Sequence, residues 1–294
     1  MKILVTGSKG QLGYALQSLA AHFPQWRFVF VDIDELDITA GDEVMEFTGL
    51  HRPDIIINTA AYTAVDKAED EPAAAEQVNA FAAGNLVKAA FAVNAYLLHI
   101  STDYVFDGEA TAPYQETDAV NPLSVYGRTK LEGERAVLSY NRGMVVRTSW
   151  LYSPGGNNFV RTMLRLGCEQ DHLRVVADQT GSPTFAADLA VALLRITEQI
   201  AAEPKRFDAG IFHYANAGAC SWYEFAKKIM HWGKCSCRVE PCTTADYPTK
   251  ARRPRNSVLD CNKIQRVYGV AIPAWEDALK RCLKAMNAPQ SASE

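Results

Sequence analysis

Tyr126 and Lys130 stand four residues apart in NPLSVYGRTKLEGE (121–134), directly after a proline-marked turn. On a helix that spacing puts both side chains on one face, with Cβ atoms about 5–6 Å apart. A phenol beside an ammonium group can serve as a general acid. Free tyrosine titrates near 10 and lysine near 10.4, and a cation within about 4–6 Å lowers an acid's pKa by roughly 1–3 units. The spacing therefore predicts a Tyr126 hydroxyl of enhanced acidity, able to hand its proton to a carbonyl oxygen. Thr102, in STDYVFDG, is placed to hydrogen-bond the same oxygen. A lone Tyr-x-x-x-Lys pair is commonly just a solvated helix face, so neighbouring elements must supply the rest of a site.

Five short runs, KILVT, RFVFVD, DIIINTA, YLLHIST and MVVRTSW, are rich in β-branched or aromatic residues, as buried parallel strands are. Helices are expected between them, at Gln11–His22, Gly41–Leu50, Ala73–Val93 and Val125–Ser139. This alternation predicts an α/β fold, a Rossmann-type doubly wound parallel sheet over 1–150 that binds a dinucleotide. After Trp150 the rhythm breaks. SPGGNN reads as a loop, Phe159–Cys168 as a helix, LRVVAD as a strand, and TFAADLAVALLRITEQI as a helix returning to the first domain. IFHYAN reads as a further strand, and Ser221 caps the helix WYEFAKKIM. Residues 151–294 are thus expected to form mainly a smaller mixed α/β substrate-binding lobe over the sheet's carboxyl edge. Segments near 172–200 are expected to return to the first domain. The polar tail NAPQSASE is expected to fray.

The strand ends carry the remaining chemistry. VTGSKGQLG puts Gly7, Gly10 and Gly13 at the first strand-to-helix turn, where glycines allow close approach of backbone to a pyrophosphate on the helix N-terminus. Asp32, about 19 residues beyond Gly13, ends the second strand, where a carboxylate can take ribose hydroxyls and disfavours a 2′-phosphate. Asp37 and Ile38 are placed to flank an adenine. Ala60 and Ala61 let a cofactor lie against the third strand end, with Tyr62 and Thr63 bordering a nicotinamide ribose. The fourth strand delivers Ser101, Thr102 and Asp103 to the same edge. With hydride arriving from NADPH or NADH, Tyr126 becomes the proton donor, and Lys130 also holds ribose hydroxyls.

Bulk properties exclude other classes. The 294 residues are 48% hydrophobic and 22% charged, with a net charge of −4. That balance gives no cationic field for nucleic acid. KARRPR (250–255) is short and suits a small anion better. No signal peptide and no membrane span are expected, so the reading is cytoplasmic. Seven cysteines, all in the second half, include CSCRVEPC, whose spacing lacks the paired C-x-x-C of common zinc sites. They are expected to be reduced thiols without metal.

The motifs GQLG, NTAAYTAVDKAE, STDYVFDG, NPLSVYGRTKLEGE, RTSWLY, NNFVRTML, DQTGSPT and YPTKARRPRNSVLD occur in order over nearly the whole length. Together they resemble the dTDP-4-dehydrorhamnose reductases, a family of extended short-chain dehydrogenase/reductases. The resemblance implies reduction of the 4-keto group of a dTDP-sugar to give dTDP-L-rhamnose, a precursor of bacterial surface polysaccharides. It implies cofactor contacts from Gly10, Gln11 and Leu12, and from Ala61, Tyr62 and Thr63 on the nicotinamide side, with Asp32, Asp37 and Ile38 around the adenosine. For substrate it implies Thr102, Asp103, Trp150 and Asn158, with Arg252 and Arg253 on the diphosphate, since a guanidinium forks onto phosphate oxygens. Members of the family use either cofactor, and Ser8 or Lys9 can shelter a 2′-phosphate. Some form Mg²⁺-bridged dimers, but here the first-helix position is Ala15 and AAD offers only Asp188. A monomer or a metal-free homodimer is expected. The alternatives are another nucleotide-sugar enzyme of this fold, an epimerase or dehydratase, and a non-catalytic subunit like the methionine adenosyltransferase β subunit.

Overall fold

The structure, a computed structural model, describes residues 1–287. The expectation of a frayed tail falls almost wholly on 288–294, outside the described residues. The large sheet comprises β1 (Lys2–Thr6), β2 (Arg27–Val31), β3 (Ile55–Asn58), β4 (Tyr96–Thr102), β5 (Gly143–Thr148) and the strand Gly210–His213. They run parallel in the order β2-β1-β3-β4-β5-Gly210–His213. The order reverses between β1 and β3. In open α/β sheets, ligands sit outside the strands' carboxyl ends at such a reversal.

The helices on this half are α1 (Gln11–Ala20), α2 (Gly41–His51), α3 (Val65–Ala68), α4 (Pro72–Glu76), α5 (Ala82–Val93) and α6 (Val125–Leu138). Alternate residues of β1 serve opposite faces, as strand periodicity requires. Ile3 and Val5 join Leu12 and Leu16 of α1 and Leu189 and Leu193 of the helix Ala186–Ala202. Leu4 joins Val44 of α2 and Leu86 and Ala90 of α5. Every residue of β3 and β5 is buried, which only a sheet covered on both faces demands. The doubly wound α/β class is therefore what the strand composition implied.

A separate apolar core gathers Tyr152, Val160, Leu173, Val175, Phe225, Ile229, Trp275 and Leu279. It lies among the helices Phe159–Glu169, Trp222–Gly233 and Trp275–Met286. The strand His172–Val176 belongs here, paired parallel with Arg238–Cys242. The return to the large sheet thus begins later than the expected 172. It consists of the helix Ala186–Ala202, the strand Gly210–His213 and the helix Asn262–Tyr268. A short apolar run announces a strand but not its partner.

The alanine-rich stretch expected as one helix is broken between α4 and α5 by a π-helical turn, Gln77–Phe81. Such turns are frequent at functional sites. Here the turn faces Asn79 inward. Its Oδ1 accepts from Tyr62 N at 2.9 Å, and its Nδ2 donates to Thr129 Oγ1 at 3.0 Å. The π turn is thereby tied both to the end of β3 and to α6. Among the described residues, no helix is long and apolar enough to cross a membrane.

Candidate active site

β1 enters α1 through a turn that admits little besides glycine. Gly7 has φ +70°, and a Cβ there would meet Ala60 N at 2.6 Å; one on Gly13 would meet Gly7 O at 2.3 Å. The turn therefore presses against the end of β3 at the order reversal, with Ala60 and Ala61 half-buried beside it. α1 starts after Gly10 with no side-chain cap. Its first amides have no side-chain acceptor, and such amides form the donor set a diphosphate takes. Asp32 lies against the same turn, its Oδ2 accepting from Lys9 N at 2.8 Å. The Lys9 ammonium pairs with Asp34 and Glu35. These residues fit a dinucleotide.

Four expected cofactor residues play narrower parts. Leu12 and Ile38 bury their side chains in the two sheet cores, so Leu12 has only its amide to offer and Ile38 cannot flank an adenine with its side chain. Asp37 spends Oδ1 on Thr39, accepting from N at 2.9 Å and from Oγ1 at 2.8 Å. Gln11 reaches the other lobe instead, its Oε1 accepting from Ser153 Oγ and Asn158 Nδ2, each at 3.0 Å.

Tyr126 is mounted by the start of α6. Ser124 caps the helix by accepting from Gly127 N at 3.1 Å, and Glu69 Oε1 accepts from Val125 N at 2.8 Å. Gly127 lets the helix close on the turn after β4, since a Cβ there would lie 2.2 Å from Tyr104 O. The Tyr126 ring packs edge-on to Tyr104, centroids 5.6 Å apart, beside Ala68, Ala75 and Val125. Burial pushes its phenol up to about 12, while the adjacent Thr102 hydroxyl pulls it down and Asp103 adds to the rise. Lys130 is buried, its Nζ donating to Ile100 O at 2.6 Å and lying 3.4 Å from His99 Nε2. Burial pushes it down to about 8, against the opposing pull of Glu134.

These shifts correct the expectation of an acidified phenol. Helical spacing places Tyr126 and Lys130 on one face, but the amine turns to β4 rather than to the ring. Desolvation dominates both groups and favours their neutral forms. Thr102, not Lys130, is the neighbour that stabilises the phenolate.

Thr102 Oγ1 also donates to Asp103 Oδ1 at 3.0 Å and accepts from Tyr104 N at 3.2 Å. Burial pushes Asp103 up to about 6, with the Ser257 and Thr102 hydroxyls opposing. The folded protein therefore holds this proton more tightly than the unfolded chain, whose carboxyl titrates near 3.9. The stabilising contribution is complete below about pH 4 and is lost as pH rises through about 6. Asp103→Asn has no proton to lose. Denaturant melts at about pH 5 and about pH 8 should show its stability relative to the native chain improving by about 1 kcal/mol. An unchanged difference would remove Asp103 from this role. Ser101, expected at the cofactor, faces inward and donates to Glu134 Oε1 at 2.5 Å. Glu134 in turn holds Arg147 Nε at 2.9 Å and Nη2 at 2.7 Å.

At the third strand end Thr63 is exposed, and Tyr62 donates its hydroxyl to Glu71 Oε2 at 2.8 Å. Trp150 has φ +47°, unusual for a bulky residue. Its ring stacks on Trp222 with centroids 3.5 Å apart. Asn158 is spent on structure. Its Oδ1 caps the helix at Arg161 N, and its Nδ2 faces Gln11 Oε1, Ser153 O and Gly155 O, each at 3.0 Å. A substrate contact from Asn158 would have to replace one of these bonds. Arg253 Nη2 donates to Asp66 Oδ2 at 2.6 Å, and Ala251 N donates to Asp66 Oδ1 at 3.0 Å. Arg253 is thus taken by α3, and of the two expected arginines Arg252 is the exposed one.

Residues missed in the sequence are Asn79, Asp66, Trp222 and His99. Only His99 carried a signal, a polar side chain inside the apolar run YLLHIST.

A family model described as RmlD substrate binding domain matches residues 1–288. The chain is 44% identical to the dTDP-4-dehydrorhamnose reductase of Aggregatibacter actinomycetemcomitans, covering 95% of this chain and 97% of that one. A solved dTDP-4-dehydrorhamnose reductase from Clostridium acetobutylicum superimposes with a TM-score of 0.92 at 41% identity, covering 98% of this chain and 100% of that one. Another, from Bacillus anthracis in complex with NADP, gives a TM-score of 0.90 at 40% identity, covering 97% and 99%.

Proposed function

We propose a reaction on the premise that this chain belongs to the family of the RmlD substrate binding domain, that of the dTDP-4-dehydrorhamnose reductases. It reduces the 4-keto group of dTDP-4-dehydrorhamnose, giving dTDP-L-rhamnose, with NADPH or NADH. The observation that supports this is Tyr126 beside Thr102 at the end of β4, with Lys130 buried one helical turn on against Ile100 O, in a chain matched over residues 1–288.

The bound reduced nicotinamide supplies the hydride. Gly7, Gly10, Gly13 and the first amides of α1 hold the dinucleotide's diphosphate, and Asp32 its adenosine ribose. Ala60, Ala61, Tyr62 and Thr63 border the nicotinamide side, where Lys130 offers an amine to ribose hydroxyls. Tyr126 keeps its proton through the neutral range and delivers it to the ketone oxygen. A phenol near 12 remains a far stronger acid than the secondary alcohol formed, so the transfer runs downhill. Thr102 orients that oxygen by turning its single hydroxyl hydrogen to it from Asp103. Asp103 and Trp150 meet the sugar, and Arg252 reaches the diphosphate.

The same proposal covers assembly and location. Asp188 takes both Arg281 nitrogens at 2.6 Å and Asn216 Nδ2 at 2.7 Å, so its oxygens are engaged within the chain. This supports a monomer or a metal-free homodimer. All seven cysteines are free, which suits the reducing cytoplasm.

The test follows reduced-nicotinamide absorbance with purified chain and dTDP-4-dehydrorhamnose, run once with NADPH and once with NADH. Oxidation that requires the keto sugar is expected. Tight cofactor binding with no sugar-dependent oxidation would make the chain a binding subunit instead.

A further inference from the structure

His99 is the polar residue inside the apolar run of β4, and the fold turns it inward to 1% exposure. Its Nδ1 lies 2.9 Å from Asn58 Nδ2, and its Nε2 lies 3.4 Å from Lys130 Nζ. The Asn58 amide can face only one way. Its oxygen receives Ala60 N at 3.1 Å and Thr6 Oγ1 at 2.7 Å, and a backbone N–H cannot accept. The NH₂ group is therefore the one that meets His99.

Burial keeps the imidazole neutral, and a neutral ring has one donor and one acceptor nitrogen. Nδ1, facing an NH₂ group, must accept. The ring proton accordingly sits on Nε2, toward Lys130. An ammonium has three donors and no acceptor, so against Nε2–H it meets donor with donor. A neutral amine accepts Nε2–H through its lone pair and still donates to Ile100 O at 2.6 Å.

We propose that the line Thr6–Asn58–His99 is a positioning relay that sets the protonation state of Lys130, presenting a fixed donor to its amine and so favouring the neutral form. It rests on the reading of Lys130 as an active-site residue. His99 touches no reacting atom; it acts through Lys130. Other groups around α6 leave this assignment intact. Glu134 favours the ammonium, but its carboxylate is already held by Arg147 and Ser101. Glu69 is spent on Val125 N and Asp103 on Thr102. Tyr126 holds its own proton. Desolvation acts in the same direction as the relay.

The first measurement needs no variant. Nitrogen-15 NMR of the full chain with labelled imidazoles should show His99 protonated on Nε2 across the neutral range, assigned by the peak lost in His99→Gln. A proton on Nδ1 overturns the relay. The second measurement uses Asn58→Asp, whose carboxylate can still accept from Thr6 and Ala60 and can also accept from Nδ1–H. The His99 proton should cross to Nδ1, turning Nε2 into an acceptor. The Lys130 amine, followed by its side-chain nitrogen-15 signal, should then titrate higher by about one pH unit. A higher titration with the tautomer unmoved would make added charge the whole cause and sink the relay; so would a moved tautomer with Lys130 unchanged. Circular dichroism checks the variant's fold. Neither measurement uses turnover, so failure of the keto-sugar assay and failure of the relay are told apart.

Discussion

Tyr126→Phe should retain cofactor binding and melting temperature while losing turnover by about 10²–10⁴-fold. The substitution removes one oxygen and keeps the ring. The ring's contacts with Tyr104, Ala68, Ala75 and Val125 are apolar or edge-on, and phenylalanine preserves them. The hydroxyl's neighbours are Thr102 and, further off, Asp103, so no fold-bearing hydrogen bond is lost. On the proposed mechanism, what disappears is the proton source for the ketone oxygen. Steady-state rates, cofactor titration by fluorescence and a thermal melt on the same sample measure the three quantities. Turnover within a few-fold of the native chain would show that another group, or water, supplies the proton.

Glu134→Ala should cost about 3–5 kcal/mol of stability, the usual effect of stripping one partner from a buried ion pair. Arg147 and Glu134 are exposed by only 2% and 1%, and they meet through two hydrogen bonds, with Ser101 completing one carboxylate oxygen. Removing the carboxylate leaves a guanidinium with no counter-charge in the centre of the molecule, above the Phe106 ring. The loss is thus a penalty of the uncompensated charge more than the worth of the pair. The double variant Glu134→Leu with Arg147→Met tests that distinction, since replacing both ions by apolar groups is often close to neutral. Denaturant midpoints should rank the native chain and the double variant together, well above Glu134→Ala. A single variant as stable as the native chain would contradict this account of the pair.

What was legible in the sequence follows the reach of each signal. Continuous apolar runs such as DIIIN and MVVRT identify strands buried on both faces, and the glycine spacing after β1 marks the turn where the backbone is pressed against Ala60. Tyr126 and Lys130 share a helix face because periodicity is local. Atomic partners are not local. Ser101 was placed at the cofactor because it ends a strand, yet the residue before Thr102 must face the opposite way, and it braces Glu134. Asn158 was expected at the substrate from the resemblance alone, and in the fold it caps a helix and fastens a loop. The Lys130 amine turns to Ile100 O and lies against His99 rather than Tyr126, because partners on β4 are set by the fold and not by helical spacing. Asp66 meets Arg253 across 187 positions of sequence, a pairing no window of residues can announce.

The separateness of the apolar core around Phe225 and Trp275 from the two cores flanking the sheet has an energetic consequence. Substitutions in regions that share no neighbours add nearly independently. Changes deep in the core around Phe225, far from Leu16 or Val44, should therefore lower stability by amounts that simply add to changes made there.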